Sequence, residues 1–284
     1  MNGWLVYDRI GADRNGWFIS KLLESAGKAG VRLTFLLKER LVYGVEGGLS
    51  FFLYDGEQLE VPDLAIVRTI DPLLSRTLEN SGARVFNSAD VSEICNDKRK
   101  TLAFFSARGV PTARSYFENA QTLDPRAYTY PLVMKSPDGH GGREVFLLRN
   151  AEDAASAAHL IGSDGLLLQE LQTPGLDVRV YLLNGRVLAA VKRTSSADFR
   201  SNYSLGGKAE LCEPDEDMAR IVETVNEALH PTFVGVDFIF DPSGRPLLNE
   251  IEDIVGSRML YALTDLSVHD LLFSAIAESI GKDT

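Results

Sequence analysis

Two acidic residues near the end of the chain, Glu250 and Glu252, have the spacing of side chains on one face of a β-strand. The apolar segments 233–240 and 246–252 flank a Pro-Ser-Gly turn, and this pattern predicts the two paired strands of a hairpin. Successive side chains of a strand point to opposite faces. The two glutamates are therefore expected to lie together on one face of the second strand.

A third carboxylate joins them if the hairpin is paired directly across its turn. With Asp241 opposite Pro246, Asp237 of the first strand lies opposite Glu250. Like charges that face each other destabilise a sheet, so clustered carboxylates make sense if a cation lies between them. Oxygen ligands of this kind suit Mg²⁺ that is bound jointly to substrate phosphates. The sequence thus predicts a Mg·nucleotide site, with a solvent-facing hairpin edge of incidental acids as the alternative.

A glycine-rich loop with basic residues at both ends is the second candidate for phosphate chemistry. Gly139, Gly141 and Gly142 lie between two predicted strands, after Lys135 and before Arg143. Glycines let backbone N–H groups surround a phosphate, and a lysine neutralises its charge. Lys135 ends an apolar strand, which is a costly place for an unpaired ammonium. We therefore expect this loop to bind phosphate, and an ordinary glycine-rich turn is the alternative.

A further strand ends in polar residues that can meet the rest of a nucleotide. The segment 166–171 is apolar up to Gln169 and Glu170, and Asp177 follows a few residues later. Backbone groups at such a strand end can pair with an adenine, and a carboxylate can accept hydrogen bonds from ribose hydroxyls. An ordinary strand end explains the same residues equally well.

The composition is that of a globular protein and limits its partners. The 284 residues, 45% of them hydrophobic and 24% charged, suffice for a sizeable core. A net charge of −11 argues against nucleic acid or anionic membranes as partners, and no apolar run reaches membrane-spanning length. Cys95 and Cys212 are far apart and lack metal-ligand spacing. A cytoplasmic location is therefore expected.

Strand and helix patterns divide the chain into three predicted domains. Residues 1–92 alternate strands and helices, which implies a small parallel sheet. Residues 93–172 contain the glycine-rich loop. Residues 173–284 contain the carboxylate hairpin and a second hairpin around the turn of Asn184 and Gly185, a strong short hairpin signal. The expected fold class is α/β (α+β).

In chain order, these motifs resemble those of the ATP-grasp ligases, and most closely those of the RimK-like α-L-glutamate ligases. The motifs that carry the resemblance are Asp97-Lys98, Lys135, the glycines of 139–142, Gln169-Glu170, Asp177-Val178-Arg179, the segment 198–202 with Gly206-Gly207, Gly235-Val236-Asp237 and Asn249-Glu250-Ile251-Glu252. Each motif alone is modest evidence for this family, but eight motifs in this order are specific to it and span nearly the whole chain. The resemblance implies an ATP-grasp fold preceded by a small parallel-sheet domain.

The resemblance also implies roles for the matching positions. Contacts to ATP would come from Lys98, Lys135, Gly139, His140, Gly141, Gly142, Gln169, Glu170, Leu171, Gln172, Asp177 and Arg200. Within this set the lysines and glycines would meet the phosphates, residues 169–172 the adenine, and Asp177 the ribose. The side chains that would act in catalysis are Arg200, Lys135 and Asn202. The carboxylates that would ligate Mg²⁺, or Mn²⁺ as a second candidate ion, are Asp237, Glu250 and Glu252.

The chain departs from the relatives it resembles where substrates should bind. Relatives generally have asparagine at the position of Glu252, so this metal site gains a formal charge that bears on its metal preference. The segment 253–258 lacks the usual proline and offers Arg258 as a candidate for binding a substrate carboxylate. Arg68, which follows a buried strand, is a second candidate, with a loop-surface arginine as the alternative. Substrate identity therefore transfers poorly from the family.

The reaction that the resemblance implies is amide formation through an acylphosphate. A carboxylate is a poor electrophile, and phosphoryl transfer from ATP converts it to an acylphosphate that an amine can attack. Glutamate or a similar amino acid is the first candidate substrate, and a peptide or carrier protein is a candidate acceptor. Whether the protein forms a homo-oligomer stays open. Two other functions also stay open: a catalytically idle nucleotide-binding regulator and a phosphotransferase.

Overall fold

The computed structural model describes residues 1–139, 141–142, 144–162, 165–196, 198–200 and 207–281. Two residues with expected roles, His140 and Asn202, lie outside this part of the chain. In chain order its strands and helices are β1 (Asn2–Tyr7), α1 (Arg9–Lys28), β2 (Arg32–Leu37), β3 (Leu41–Glu46), β4 (Leu49–Tyr54), β5 (Glu57–Gln58), β6 (Leu64–Val67), α2 (Pro72–Asn80), β7 (Arg84–Phe86), α3 (Ala89–Cys95), α4 (Lys98–Ser106), β8 (Ser115–Asn119), β9 (Leu132–Lys135), β10 (Val145–Leu148), α5 (Ala151–Ile161), β11 (Gly165–Glu170), β12 (Leu176–Leu183), β13 (Arg186–Thr194), β14 (Lys208–Cys212), α6 (Glu216–Leu229), β15 (Phe233–Phe240), β16 (Pro246–Glu252), α7 (Arg258–Leu263) and α8 (Val268–Gly281).

The N-terminal sheet is parallel, as the alternation of strands and helices predicts. Its strands lie in the order β2-β1-β6-β7, with all four residues of β6 buried. An antiparallel sheet of β3, β4 and β5 packs beside it, where the ring of Phe52 meets the ring of Trp4 edge-on at 5.4 Å. The small parallel sheet expected at the N-terminus is therefore present.

The central sheet is antiparallel and lies in the order β10-β9-β11-β8. Helix α5 packs against it through alanines, which allow close approach. Asn150 is the N-cap of this helix, and its side chain accepts hydrogen bonds from the backbone N–H groups of Glu152 and Asp153, both at 2.9 Å. Asparagine is a preferred N-cap residue. This sheet carries the expected phosphate lysine at the end of β9 and the expected adenine segment at the end of β11.

The C-terminal sheet is antiparallel, in the order β14-β13-β12-β15-β16, and is covered on both faces. Helices α3, α4 and α6 contribute to the core on one face. Helices α1, α7 and α8 contribute to the core on the other face. Because α1 and α8 share this core, the first and last parts of the chain pack together. The boundaries at residues 92 and 172 stay a prediction.

None of the described helices is both long and apolar enough to cross a membrane.

Candidate functional site

A pocket opens between the central sheet and the C-terminal sheet, at the place where most of the residues with expected roles meet. It encloses about 790 Å³ of space outside protein atoms, open solvent included. The residues with expected roles that line it are Lys98, Lys135, Gly139, Gly141, Gly142, Gln169, Glu170, Leu171, Gln172, Asp177, Arg200, Asp237 and Glu250. Glu252, Arg68 and Arg258 do not belong to this lining.

Lys135 lies at the buried end of β9 and points its ammonium group into the pocket. Its Nζ donates to Gln169 Oε1 at 2.8 Å and to Asn249 Oδ1 at 2.7 Å. Burial lowers the pKa of Lys135 to about 8, and the nearby charge of Glu250 opposes that shift. Both hydrogen-bond acceptors are neutral amides. The lysine charge is therefore available to an anionic ligand such as a phosphate.

Lys98 joins the glycine-rich loop to the carboxylate hairpin. It is the first residue of α4, which Asp97 caps by accepting from the N–H of Arg99 at 2.8 Å. Its Nζ lies 2.5 Å from the carbonyl oxygen of Gly139 and 3.1 Å from Oε2 of Glu250. The cap thus places an ammonium group between the loop and the second strand of the hairpin.

Two of the described loop glycines have backbone angles that favour glycine, and the third lies in a crowded space. A Cβ atom on Gly139 would lie 2.7 Å from a carboxylate oxygen of Glu144, and Gly141 and Gly142 have φ angles of +70° and +74°. Residues with a side chain rarely adopt such angles. Arg200 donates from Nη1 to the carbonyl oxygen of Gly142 at 2.7 Å. The loop therefore lies between two cationic side chains from different parts of the chain.

The strand end expected to bind adenine lines the pocket, but its first side chain is used elsewhere. Gln169 is buried, accepts from Lys135 through Oε1 and donates from Nε2 to Ser115 Oγ at 3.2 Å. Its amide therefore orients the ammonium group of Lys135. Glu170, Leu171 and Gln172 line the pocket beyond it, and their contact with adenine stays a prediction.

The carboxylate hairpin has the predicted strand bounds and the predicted pairing of Asp237 with Glu250. The pairing predicted at its turn is wrong, because Phe240 rather than Asp241 lies opposite Pro246. A β-bulge between these points inserts Asn249 as an extra residue on the second strand. As a result Asn249 and Glu250, which would face opposite sides of a regular strand, both line the pocket.

The three expected metal ligands are close enough to share one ion. Oxygen atoms of Asp237, Glu250 and Glu252 lie within 4.8 Å of one another. Hard oxygen donors in such an arrangement fit Mg²⁺ or Mn²⁺. A phosphate bound to the same ion would also need cations close by, and the ammonium groups of Lys98 and Lys135 lie beside these carboxylates. The residues present therefore fit a divalent ion and a nucleotide triphosphate.

Two buried arginines also contact these carboxylates. Arg179 donates from Nε and Nη2 to the two oxygens of Asp237, both at 2.6 Å, and from Nη2 to Glu252 at 2.7 Å. Arg193 donates to Asp237 at 2.9 Å and to Asp177 at 2.5 Å. Asp177, Arg193, Asp237, Arg179 and Glu252 thus form a continuous row of alternating charges across four strands, which we call the charge row.

The charge row sets how its carboxylates ionise. Burial would raise the pKa of Asp237, but Arg179 and Arg193 outweigh this effect and hold the pKa at about 2. Burial raises the pKa of Glu252 above its usual value, and Arg179 only partly opposes that rise. Burial also acts on Glu250, whose pKa the charge of Lys98 nevertheless lowers. Asp237 and Glu250 are therefore ionised and ready to bind a cation.

Three residues of the site have no role in the sequence-based prediction: Arg179, Arg193 and Asn249. The alternation along β12 places Arg179 on the same face as Asp177, which was a usable signal. Arg193 faces Asp177 only because a β-bulge follows Tyr181 in the pairing of β12 with β13. The turn residues alone do not reveal that bulge.

The two arginines expected to bind substrate lie apart from the pocket lining. Arg68 donates from Nη2 to the carbonyl oxygen of Val255 at 2.9 Å, and its buried Nε has no partner among the described residues. It therefore lies beside the segment that follows Glu252. Arg258 begins α7 on the same segment, and its side chain is exposed. Their roles in substrate binding stay predictions.

Comparisons with known proteins agree with this geometry. A family model described as the RimK-like ATP-grasp domain matches residues 95–276. The glutamate–LysW ligase ArgX of Sulfurisphaera tokodaii is 28% identical over 235 residues, which cover 78% of this chain and 83% of that protein. The α-aminoadipate–LysW ligase LysX of the same organism is 24% identical over 288 residues, covering 98% of this chain and 99% of that protein.

Solved structures share the fold across the whole chain. The crystal structure of the D-cycloserine synthetase DcsG superposes with a TM-score of 0.72 at 17% identity and covers 98% of this chain and 99% of that one. The chain belongs to the RimK-like ATP-grasp family, and the fold class expected from its motifs is confirmed.

Proposed function

We propose that this member of the RimK-like ATP-grasp family is an ATP-dependent carboxylate–amine ligase that works with Mg²⁺. The observation that carries the proposal is the meeting of Lys98 and Lys135 with Asp237 and Glu250 around one pocket. Lys98 comes from helix α4, Lys135 from the central sheet and the two carboxylates from the C-terminal sheet. The lysines have the charge that the phosphates need, and the carboxylates have the charge that the metal ion needs. The family membership supports the same reading.

The described residues have distinct tasks in such a reaction. Lys135 and Lys98 would bind phosphate oxygens, and Asp237, Glu250 and Glu252 would hold the ion, with Mn²⁺ as an alternative to Mg²⁺. The ion supplies positive charge that neutralises the transferred phosphoryl group. Arg200, which now bonds to the carbonyl oxygen of Gly142, would stabilise that group and the acylphosphate on the substrate. Departure of phosphate after attack by the amine leaves an amide.

The substrates we propose are an amino acid with a free carboxylate and an amine acceptor. Glutamate is the first candidate, because a similar protein is named a glutamate–LysW ligase. A small amine, a peptide and a carrier protein are all candidate acceptors, since other similar proteins include a ligase solved with a precursor peptide. Arg68 and Arg258 are the proposed contacts for a substrate carboxylate, beyond Glu252 and outside the nucleotide pocket. We place the reaction in the cytoplasm, because the two cysteines are free.

The test is a screen for ADP formation with ATP and Mg²⁺. Amino acids and dicarboxylates are offered singly and in pairs with amines, and every mixture that releases ADP is examined by mass spectrometry. The expected result is ADP and phosphate in amounts that depend on both a carboxylate and an amine, with a product heavier than the carboxylate by the amine minus water. A phosphorylated product without free phosphate would indicate a phosphotransferase instead. Nucleotide binding without any turnover would indicate a regulator.

A further inference from the structure

The charge row places a permanent cation among the expected metal ligands. The guanidinium of Arg179 contacts both oxygens of Asp237 and one oxygen of Glu252. Its side chain is 7% exposed, and that of Asp237 is 2% exposed. An ion pair this deeply buried keeps its partners close, because either charge alone would be strongly disfavoured there. Arg179 therefore holds two carboxylates of the metal site in place.

The neighbouring strand leaves room for this arginine. A Cβ atom on Gly235 would lie 3.2 Å from Cδ and 3.3 Å from Nε of Arg179, and 2.8 Å from a methyl carbon of Val255. Gly235 pairs with Glu252 across the hairpin. A side chain at this position would therefore clash with Val255 and crowd Arg179, which would have to shift by a few tenths of an ångström. The absence of one is an observation independent of the ion pairs themselves.

The charges of the cluster around the metal ligands balance before any ligand arrives. This cluster consists of the carboxylates of Asp177, Asp237, Glu250 and Glu252 and the cations Arg179, Arg193, Lys98 and Lys135, and it leaves out Glu170 and Arg200, which line the pocket farther away from it. A divalent ion alone would add positive charge that nothing offsets. A nucleotide triphosphate brings more negative charge than the ion brings positive charge, so the pair can enter together.

We propose that Arg179 is a positioning residue of the metal site, which orients Asp237 and Glu252 and makes divalent-ion binding depend on the nucleotide. The inference rests on the proposed nucleotide site. The guanidinium occupies lone pairs of both carboxylates and offsets part of their negative charge while no nucleotide is bound. Its planar fork also fixes the directions of the remaining lone pairs, which a lysine cannot do. The protein without nucleotide therefore has little affinity for the ion alone.

The test is the electron paramagnetic resonance signal of Mn²⁺, which weakens when the ion leaves water for a protein site. Titration of the protein with Mn²⁺ alone should leave nearly all of the signal of the free ion. Calorimetric titration with Mn·ADP should show binding of the pair. Strong binding of Mn²⁺ alone by the natural protein would overturn the inference, and this outcome needs no variant. Absence of binding in both titrations would contradict the proposed nucleotide site as well.

Two substitutions separate the charge of Arg179 from its geometry. Arg179→Gln removes the cation, so affinity for Mn²⁺ alone should rise by about tenfold or more. Arg179→Lys keeps the charge but loses the fork, so Mn²⁺ alone should still bind weakly. In the lysine variant the Mg²⁺ concentration for half-maximal nucleotide binding should rise by about tenfold.

The matched control is Arg84→Gln. Arg84 is less buried than Arg179 but also donates to a partner far along the chain, the carbonyl oxygen of Ile280 at 2.9 Å, away from the metal site. Arg84→Gln should leave both metal measurements unchanged, even where it lowers the melting temperature. Unchanged metal binding in both Arg179 variants, with the fold intact by circular dichroism, would overturn the role assigned to Arg179.

Discussion

The two sides of the pocket are built in different ways. The sheet side, formed by the charge row and Glu250, consists of side chains on strands, and the members of the charge row bond to one another. The loop side, formed by the glycine-rich loop and Arg200, relies on hydrogen bonds from side chains to backbone carbonyls. Asp237 on the sheet side is 2% exposed, whereas the Arg200 side chain on the loop side is 25% exposed.

Because of this difference, we expect the sheet side to contribute most to stability and the loop side to contribute most to catalysis. At the centre of the sheet side, Arg179, Arg193 and Asp237 are buried and mutually charged, so losing one leaves another charge unpaired in the interior. Partners on the loop side are water-accessible or are carbonyl groups, which a phosphate can replace as the acceptor. We infer that the sheet side is organised before a ligand binds, and that the loop side exchanges its hydrogen bonds when phosphate arrives.

The largest expected effect comes from removing the central charge of the sheet side. Asp237→Asn leaves Arg179 and Arg193 without their shared carboxylate, and the free energy of unfolding should fall by about 3–5 kcal/mol. Urea denaturation followed by circular dichroism measures this change. The matched control is Asp198→Asn on the loop side, whose ion pair with Arg200 is partly exposed and should contribute about 1 kcal/mol or less. Equal losses in the two variants would contradict the distinction between the sides.

The next effect is on turnover and belongs to the loop side. Arg200→Ala should lower kcat for ADP release about a hundredfold or more, because a positioned cation at a developing charge is commonly worth roughly 3–4 kcal/mol. Nucleotide binding and the melting temperature should change little. Steady-state kinetics with calorimetry of nucleotide binding check both parts. Near-normal turnover in this variant would remove Arg200 from the mechanism.

A glycine on each side gives a finer comparison. Gly235→Ala places a Cβ atom against Val255 and Arg179, and such overpacking should lower the free energy of unfolding by about 1–3 kcal/mol. The Cβ atom in Gly141→Ala would have no other atom within 4 Å, so only the φ of +70° causes strain. This strain should lower the free energy of unfolding by about 1–2 kcal/mol. At saturating nucleotide, only Gly235→Ala should also weaken metal binding, because a Cβ atom on Gly141 would contact no metal ligand. An equal effect of both variants on metal binding would argue against the role of Gly235.

The smallest effect is a dependence on pH that comes from the lysine between the two sides. Burial lowers the pKa of Lys135 to about 8, and the charged form is the one that binds phosphate. The value of kcat/KM for ATP reports the free enzyme, so it should fall about tenfold per pH unit above that pKa. Lys135→Arg stays charged and should abolish this fall. A flat profile through pH 9 in the natural protein would show that Lys135 binds no phosphate as a cation.

The carboxylate hairpin shows how much of the site the sequence could predict. Strand alternation and the Pro-Ser-Gly turn predicted the carboxylate hairpin with the observed strand bounds and the observed pairing of Asp237 with Glu250. That pairing came from an incorrect pair at the turn, and the bulge at Asn249 compensated for the error. A bulge depends on how the strand packs against its neighbours, so the local sequence does not contain it.

The second hairpin shows the limit more clearly. Counting back from its Asn-Gly turn in a regular ladder would place Lys192 opposite Asp177, but the bulge after Tyr181 places Arg193 there. The charge row therefore could not be predicted from the turn. Roles implied by family resemblance, such as those of Lys98 and Lys135, did not need this register, and the structure brings both lysines to the pocket.

The most direct test is calorimetric titration with a non-hydrolysable ATP analogue, with and without Mg²⁺. We expect saturable binding that requires Mg²⁺ for full affinity and weakens about tenfold or more in Lys135→Met, which removes a buried phosphate-binding charge. If analogue and Mg²⁺ together give no measurable heat of binding and no change in melting temperature, the pocket is not a Mg·ATP site.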